Sequence, residues 1–175
     1  MIIITGASKG IGKFLFDKFS EQGIEVIGTY NSTKVDVKKE DTMFQVDITD
    51  YRQVSEFFLK IKDRLNEIVL INSAGGNYSG FAHKANIDEW KKTIDINLVG
   101  TFHMIHDVLQ PMRVQNYGRI INFSSVVAQM SIPGTSAYAA SKAGLWGLTK
   151  AISAESASKG ITINNLNLGY FDIGM

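Results

Sequence analysis

The junction between the first two segments constrains this chain most. Met1-Ile2-Ile3-Ile4 runs directly into Thr5-Gly6-Ala7-Ser8-Lys9-Gly10-Ile11-Gly12, and helical periodicity begins inside that glycine cluster. A strand that turns through glycines straight into a helix is the opening unit of a parallel α/β sheet. Glycine permits positive φ and close approach of backbone to a ligand, while a helix N-terminus offers unpaired N–H groups and the positive end of a dipole. The turn formed by Gly6, Ser8, Lys9, Gly10, Ile11 and Gly12 is therefore expected to hold phosphate. A tight βα turn without a ligand is the alternative that a glycine cluster alone leaves open.

Apolar strand-like runs at Ile2–Thr5, Val26–Tyr30, Met43–Val46, Ile68–Asn72, Arg119–Phe123 and Ile161–Leu168 alternate with longer segments of helical period. This rhythm predicts a Rossmann-type doubly wound parallel sheet in a three-layer α/β/α arrangement. In the first helix Ile11, Phe14, Leu15 and Phe19 form the expected apolar stripe, with Gly23 at the stop. Asp50 is expected to cap a helix whose inner face is Val54, Phe57, Phe58, Ile61 and Leu65. Segment 88–110, with Trp90, Ile94, Leu98, Phe102, Ile105 and Leu109, reads as core helix. Residues Asn31 to Thr42 are polar and aperiodic yet join two parallel strands, so a reduced crossover is expected, with Lys38, Lys39 and Glu40 as a solvated face. Pro111 and Pro133 lie within the pattern rather than in a joint, and residues 1–175 are read as one domain.

The chain has 175 residues and is 45% hydrophobic, enough for one core. Its formal charge of +1 gives no global field for nucleic acid or an anionic membrane. No cysteine is present, which excludes disulfides, thiolate catalysis and zinc-thiolate sites and suits a reducing cytoplasm, the default assignment. Met1–Ile4 is too short for a signal-peptide core, and no apolar run approaches the ~18 residues that span a bilayer, so a soluble protein is expected. His103 and His106 are three apart on one helix but lack an evident third ligand. They read as helix surface or subunit contact, and no metal site is expected.

Tyr138 and Lys142 lie four apart in the alanine-rich stretch Ser136-Ala137-Tyr138-Ala139-Ala140-Ser141-Lys142-Ala143, so they share one face of a helix. A phenol is a poor acid or base at neutral pH unless a cation stabilises its anion. An ammonium ~4 Å away at an effective dielectric of ~20 contributes roughly 4 kcal/mol, enough to bring a phenol near neutrality. Tyr30 and Lys34 are also four apart, but they straddle a strand end and a polar loop, where helical facing is not expected. Upstream, the strand Arg119–Phe123 ends in Ser124-Ser125, and a hydroxyl at the carboxyl end of a parallel strand faces the ligand crevice.

A site for NAD usually carries an acidic residue at the end of the second strand. Here that strand ends Gly28-Thr29-Tyr30-Asn31-Ser32, with no carboxylate. A 2′-phosphate could accept bonds from Asn31 and Ser32 and pair with Lys9, which predicts NADPH over NADH.

Taken in order, Thr5-Gly6-x-x-x-Gly10-Ile11-Gly12, Asn72-Ser73-Ala74-Gly75, Asn97, Ser125 and Tyr138-x-x-x-Lys142 resemble the short-chain dehydrogenase/reductase family over nearly the whole chain. Tyr138-Ala139-Ala140-Ser141-Lys142-Ala143-Gly144 is especially similar to the compact branch containing the 3-oxoacyl-acyl-carrier-protein reductases. The resemblance implies an NADPH-dependent oxidoreductase acting on a small carbonyl or acyl-thioester substrate, assembled as a homodimer or homotetramer. It makes Tyr138 the general acid, and Ser125, thirteen positions earlier, the residue that orients the carbonyl. Lys142 would lower the tyrosine pKa and hold the nicotinamide ribose, and Asn97 would help position a water linking Lys142 to solvent. Asn72, Ala74 and Gly75 would border the adenosine side, and Asp47 with Ile48 would meet adenine. Asp47 reads equally as a cap for the turn that follows it.

The chain departs from the family pattern after the last strand. Asn167-Leu168-Gly169-Tyr170-Phe171-Asp172-Ile173 keeps the glycine near the nicotinamide but lacks the usual proline and threonine. Relatives continue past the equivalent of Met175 with a substrate-covering segment, a helix and a last strand, so a piece of a longer protein is expected. A regulatory or scaffold protein that binds NADPH without turnover is the rival reading, and a sugar-nucleotide epimerase or dehydratase a further one. Basic residues before strands five and six, expected if an acyl carrier protein docks, are half present: Asn116 and Lys159 stand in those neighbourhoods.

Overall fold

The β-branched run Ile2-Ile3-Ile4-Thr5 and its counterparts form a six-stranded sheet in which every pairing is parallel. The computed structural model describes residues 1–33, 41–130 and 132–169. In chain order the elements are β1 (Ile2–Thr5), α1 (Gly10–Glu21), β2 (Val26–Tyr30), β3 (Met43–Gln45), α2 (Tyr51–Ile61), β4 (Val69–Asn72), α3 (Ile87–Ile94), α4 (Gly100–Gln115), β5 (Gly118–Ser125), α5 (Ser136–Ser156) and β6 (Ile161–Leu168). The strands lie in the order β3-β2-β1-β4-β5-β6. Chain direction across the sheet reverses between β1 and β4, and a crevice opens at the carboxyl ends of the strands at such a switch point.

Strands buried on both faces read as continuous apolar runs, and the two faces here carry separate cores. Ile3, Ile27, Leu70 and Ile120 pack with Phe57 and Ile61 of α2, Met104, Ile105 and Val108 of α4, and Ile152 of α5. On the other face Ile2, Ile4, Val26, Ile71 and Phe123 pack with Phe16 of α1. On that side of β6, Thr162, Asn164 and Leu166 are exposed. Asp50 caps α2 as expected, accepting from the Arg52 N–H at 3.0 Å. No helix among the described residues is long and apolar enough to cross a membrane.

One position in α1 and the continuity of segment 88–110 differ from the sequence expectation. Ile11, Leu15 and Phe19 pack against the core as expected, but Phe14 is 50% exposed, and Gly12 and Phe16, 2% exposed, complete the buried row of α1. Gly12 sets this phase: it packs against Gly6 and Ser73, and Phe14 lies roughly 200° around the helix from it. Segment 88–110 is not one continuous α-helix, because Asp95–Val99 forms a π turn between α3 and α4. Its buried row is Thr93, Asn97, Thr101, Met104, Ile105 and Val108, whereas Trp90, Ile94 and Leu98 are half-buried and Phe102 is exposed.

Parallel pairing of β2 with β3, in register Gly28 with Met43 and Tyr30 with Gln45, requires the crossover expected between them. Its middle, with Lys34, Lys38, Lys39 and Glu40, lies outside the described residues.

Candidate active site

The glycine turn is tied to the loop after β4. Thr5 Oγ1 accepts from the Ser73 N–H (3.0 Å) and the Ala74 N–H (2.9 Å), and Gly6 holds φ +67° against the Ala74 backbone. Lys9, extended and exposed, is the N-cap of α1 and makes no side-chain capping bond. No Lys9 side-chain cap covers the amides at the start of α1, in the turn of Gly6, Ser8, Lys9, Gly10, Ile11 and Gly12 that the sequence reads as a phosphate site.

At the ends of β2 and β3, Asn31 and Asp47 come together in a cavity of about 330 Å³. Asp47 caps the turn that follows it, since Oδ1 accepts from the Thr49 N–H (2.9 Å) and hydroxyl (2.7 Å), and the residue also lines the cavity. Ile48 is buried, and its carbonyl accepts from His103 Nδ1 at 2.9 Å. Ser32 is exposed. Sequence reasoning missed the far wall, where Asp88, Lys91, Lys92 and Asp95 also line the cavity. A lysine pair on an amphipathic helix reads like any solvated face, and only the fold brings it opposite β2.

The third cluster surrounds Lys142. This side chain is 6% exposed, and its ammonium donates to the Phe123 carbonyl at 2.7 Å. The Tyr138 ring, one helical turn earlier, has its centroid 5.6 Å from Nζ. The bonded partner of the ammonium is thus a strand carbonyl, with the aromatic ring beside it. Burial pushes the Lys142 ammonium down to about 8.

Asn97 is fully buried in the π turn. Its Oδ1 accepts from the Gly76 N–H (2.8 Å), and its Nδ2 donates to the Gly76 carbonyl (2.9 Å) and to Ser141 Oγ (3.0 Å). Asn97 therefore clamps the loop after β4 to α5 through its side chain. Gly75 lies between these groups: a Cβ there would stand 3.2 Å from Asn97 Oδ1 and 3.8 Å from Lys142 Nζ. Ser125, at the carboxyl end of β5, is buried and its Oγ accepts from the Val127 N–H at 3.2 Å. Asn72 pairs laterally with Asn122 (2.9 Å) inside the sheet, so its side chain joins strands. Gly169 is exposed at the end of β6, while Tyr170, Phe171, Asp172 and Ile173 lie outside the described residues.

The depressed Lys142 pKa carries a stability consequence. Between about pH 8 and the ordinary value of 10.5 the unfolded chain binds more protons at this residue than the folded one. The folded state therefore gains stability from it as pH rises through that window. Lys142→Met is expected to lose that alkaline gain, seen as a flatter dependence of denaturant midpoint on pH above 8. Parallel curves for the two proteins would contradict the assignment.

The sequence matches the short chain dehydrogenase family over residues 1–175. It is 36% identical to an acetoacetyl-CoA reductase of Shinella zoogloeoides over 179 aligned residues, covering 99% of this chain and 74% of that protein. It is 32% identical to the 3-oxoacyl-[acyl-carrier-protein] reductase FabG of Escherichia coli strain K12, again covering 99% of this chain and 74% of the relative. Among solved structures, a short-chain dehydrogenase from Streptomyces avermitilis superposes with a TM-score of 0.89 at 27% identity, covering 98% of this chain and 66% of that one. ElxO, solved with NADP bound, superposes with a TM-score of 0.86 at 31% identity, covering 96% of this chain and 72% of that one. The chain thus spans about two thirds to three quarters of the length of these relatives. Strand order, glycine turn and the Tyr138–Lys142 helix agree with that match, and the chain belongs to the short-chain dehydrogenase family of oxidoreductases.

Proposed function

We propose that this chain carries the cofactor and proton-transfer halves of an NADPH-dependent ketone reductase, with Tyr138 as general acid. The observation that carries the reading is the buried Lys142 ammonium beside the Tyr138 ring, with the bare backbone of Gly75 close by. The residues fit a nicotinamide dinucleotide. The α1 N-terminus suits its pyrophosphate, the cavity at Asn31 and Asp47 its adenosine, and Lys142, beside the bare backbone of Gly75, its second ribose. When bound, the reduced nicotinamide supplies a hydride to the carbonyl carbon.

Tyr138 gives its phenolic proton to the carbonyl oxygen, and the Lys142 ammonium stabilises the phenolate left behind. Ser125 donates a hydrogen bond to the same oxygen and fixes its direction. Asn97 holds Gly76, and with it the loop facing Lys142. In the reverse direction the same groups take a proton from a secondary alcohol.

NADPH is favoured over NADH because β2 ends without a carboxylate, Asn31, Ser32 and Lys9 are exposed there and at the glycine turn, and a relative of 31% identity was solved with NADP. Acetoacetyl-CoA and 3-oxoacyl-carrier-protein reductases among the relatives point to a 3-oxoacyl thioester or a similar small ketone. We read residues 1–175 as one domain, because both cores share one sheet, and a homodimer or homotetramer as its assembly, with Val99 and Phe102 exposed on the helix offered to a second copy.

The test is cofactor consumption with a panel of ketones and 3-oxoacyl thioesters, run with NADPH and NADH. Turnover with NADPH on at least one ketone is expected. Tight NADPH binding with no turnover on any substrate would favour a sensor instead, and NADH binding as tightly as NADPH would reject the roles of Lys9, Asn31 and Ser32.

A further inference from the structure

We infer that Ser124 and Trp146 form a latch that sets where the Lys142 ammonium stands, which makes them positioning residues for the proton-transfer centre. Strand alternation gives the two adjacent serines different neighbours. Asn122 and Ser124 bond to α5, whereas Phe123 belongs to the core on the α1 side and Ser125 Oγ accepts from the Val127 N–H at the strand end.

Ser124 is 2% exposed, and its hydroxyl makes two bonds there. It donates to the Lys142 carbonyl at 3.1 Å and accepts from Trp146 Nε1 at 3.2 Å. Positions 142 and 146 are one turn apart on the same helix face, so a single hydroxyl grips both ends of that turn.

The adjacent residue completes the arrangement. The Phe123 carbonyl accepts from Lys142 Nζ, so the dipeptide Phe123-Ser124 holds this lysine at its backbone and at its tip. A lysine stem has many rotamers, and anchoring both ends selects the few that keep the ammonium buried. Burial is the cause of its lowered pKa, and the titratable side chain beside it is Tyr138.

Further along α5, Thr149 donates to Asn165 Oδ1 (2.8 Å) and accepts from Asn122 Nδ2 (3.2 Å). That second tie is independent of Ser124. Loss of the Ser124 hydroxyl therefore loosens the Lys142 turn while the helix remains docked. The consequence for cofactor binding rests on the function proposed above, but the position of the ammonium does not.

The experiment is a pH titration of the Lys142 ammonium by 15N NMR, with Lys142→Arg assigning the signal, in wild type, Ser124→Ala and Trp146→Phe. Wild type is expected to titrate near 8. A loosened ammonium gains water and its midpoint rises. Ser124→Ala is expected to move it up by about one unit or more toward the free-lysine value, and Trp146→Phe by less. NADPH affinity, measured on the same samples, is expected to fall about tenfold in Ser124→Ala, because the residue that holds Lys142 in place no longer does so.

Midpoints that stay at the wild-type value in both variants overturn the latch, even where NADPH binds normally. Failure of wild type to bind NADPH overturns the proposed function instead, with the midpoint comparison still decisive for the latch. If Ser124→Ala does not fold, Trp146→Phe decides alone, since it removes only the indole donor and a small part of the ring volume.

Discussion

Tyr138→Phe is expected to lower turnover by about 10²–10⁴-fold, the usual contribution of a positioned general acid. Only the hydroxyl is removed, and the ring beside Lys142 is kept, so stability should stay within about 0.5 kcal/mol of wild type. NADPH affinity should change little, because the lysine proposed to hold the ribose is untouched. The effect should therefore appear in kcat rather than in cofactor binding. Tyr30→Phe is the matched control: Tyr30 is half-buried at the end of β2, and its carbonyl rather than its phenol joins the sheet, accepting from the Val46 N–H. Steady-state kinetics with the best ketone of the panel separates the two. Equal turnover in wild type and Tyr138→Phe would remove the phenol from the mechanism.

Gly6→Ala is expected to carry a large stability cost at the glycine turn. Gly6 sits at φ +67°, where an L side chain costs roughly 1–2 kcal/mol. Its Cβ would also stand 2.8 Å from the Ala74 Cα, a backbone atom that cannot rotate away and that is fixed by the Thr5 hydroxyl. Overpacking of this kind costs typically about 1–3 kcal/mol, which makes a total of roughly 2–5 kcal/mol. In a chain of this length that lowers Tm by roughly 4–20 °C. Gly23→Ala separates the two causes, since Gly23 has φ +72° with nothing within 4 Å of its Cβ. It should pay the backbone strain alone and leave NADPH binding intact, whereas Gly6→Ala should weaken both. Thermal unfolding curves that fall equally for the two variants would mean that the Ala74 loop yields freely.

Strand positions were the most legible part of the fold. Runs such as Ile2–Thr5 and Val26–Tyr30 are apolar, β-branched and bounded by turn residues, and a parallel sheet covered on both faces leaves no other use for them. Cap chemistry was equally direct at Asp50, because a carboxylate before an apolar-periodic run has a local partner in the helix amides. Helix phase was harder to read. Hydrophobicity placed Ile11, Leu15 and Phe19 against the core correctly but Phe14 with them, whereas the close contact of Gly12 with Gly6 centres the buried row on Phe16. A glycine contributes nothing to an apolar count, so its control over phase is invisible until the turn is built.

The site divided in the same way. Tyr138 and Lys142 were legible because both lie on one helix, where spacing converts directly into geometry. The Lys91 and Lys92 wall of the cavity at Asn31 and Asp47 was not, since it depends on where α3 crosses the ends of β2 and β3. Ser124 was seen in the sequence as half of a serine pair. Its separate task follows from strand alternation and from Trp146, whose indole nitrogen meets it only after α5 docks.

The π turn at Asp95–Val99 sets the relative rotation of two helices that answer to different parts of the molecule. Upstream, α3 is indexed to the start of α5 through Trp90, whose Nε1 donates to Ser136. Downstream, α4 is indexed to the sheet core through Met104, Ile105 and Val108. The widened turn absorbs the phase difference between these two fixed settings. Shortening it by one residue into regular α-helix would turn one half against the other by about 100°. Either Asn97 would leave Gly76 or α4 would leave the core. This stretch therefore tolerates exchange of its side chains more readily than any change in its length.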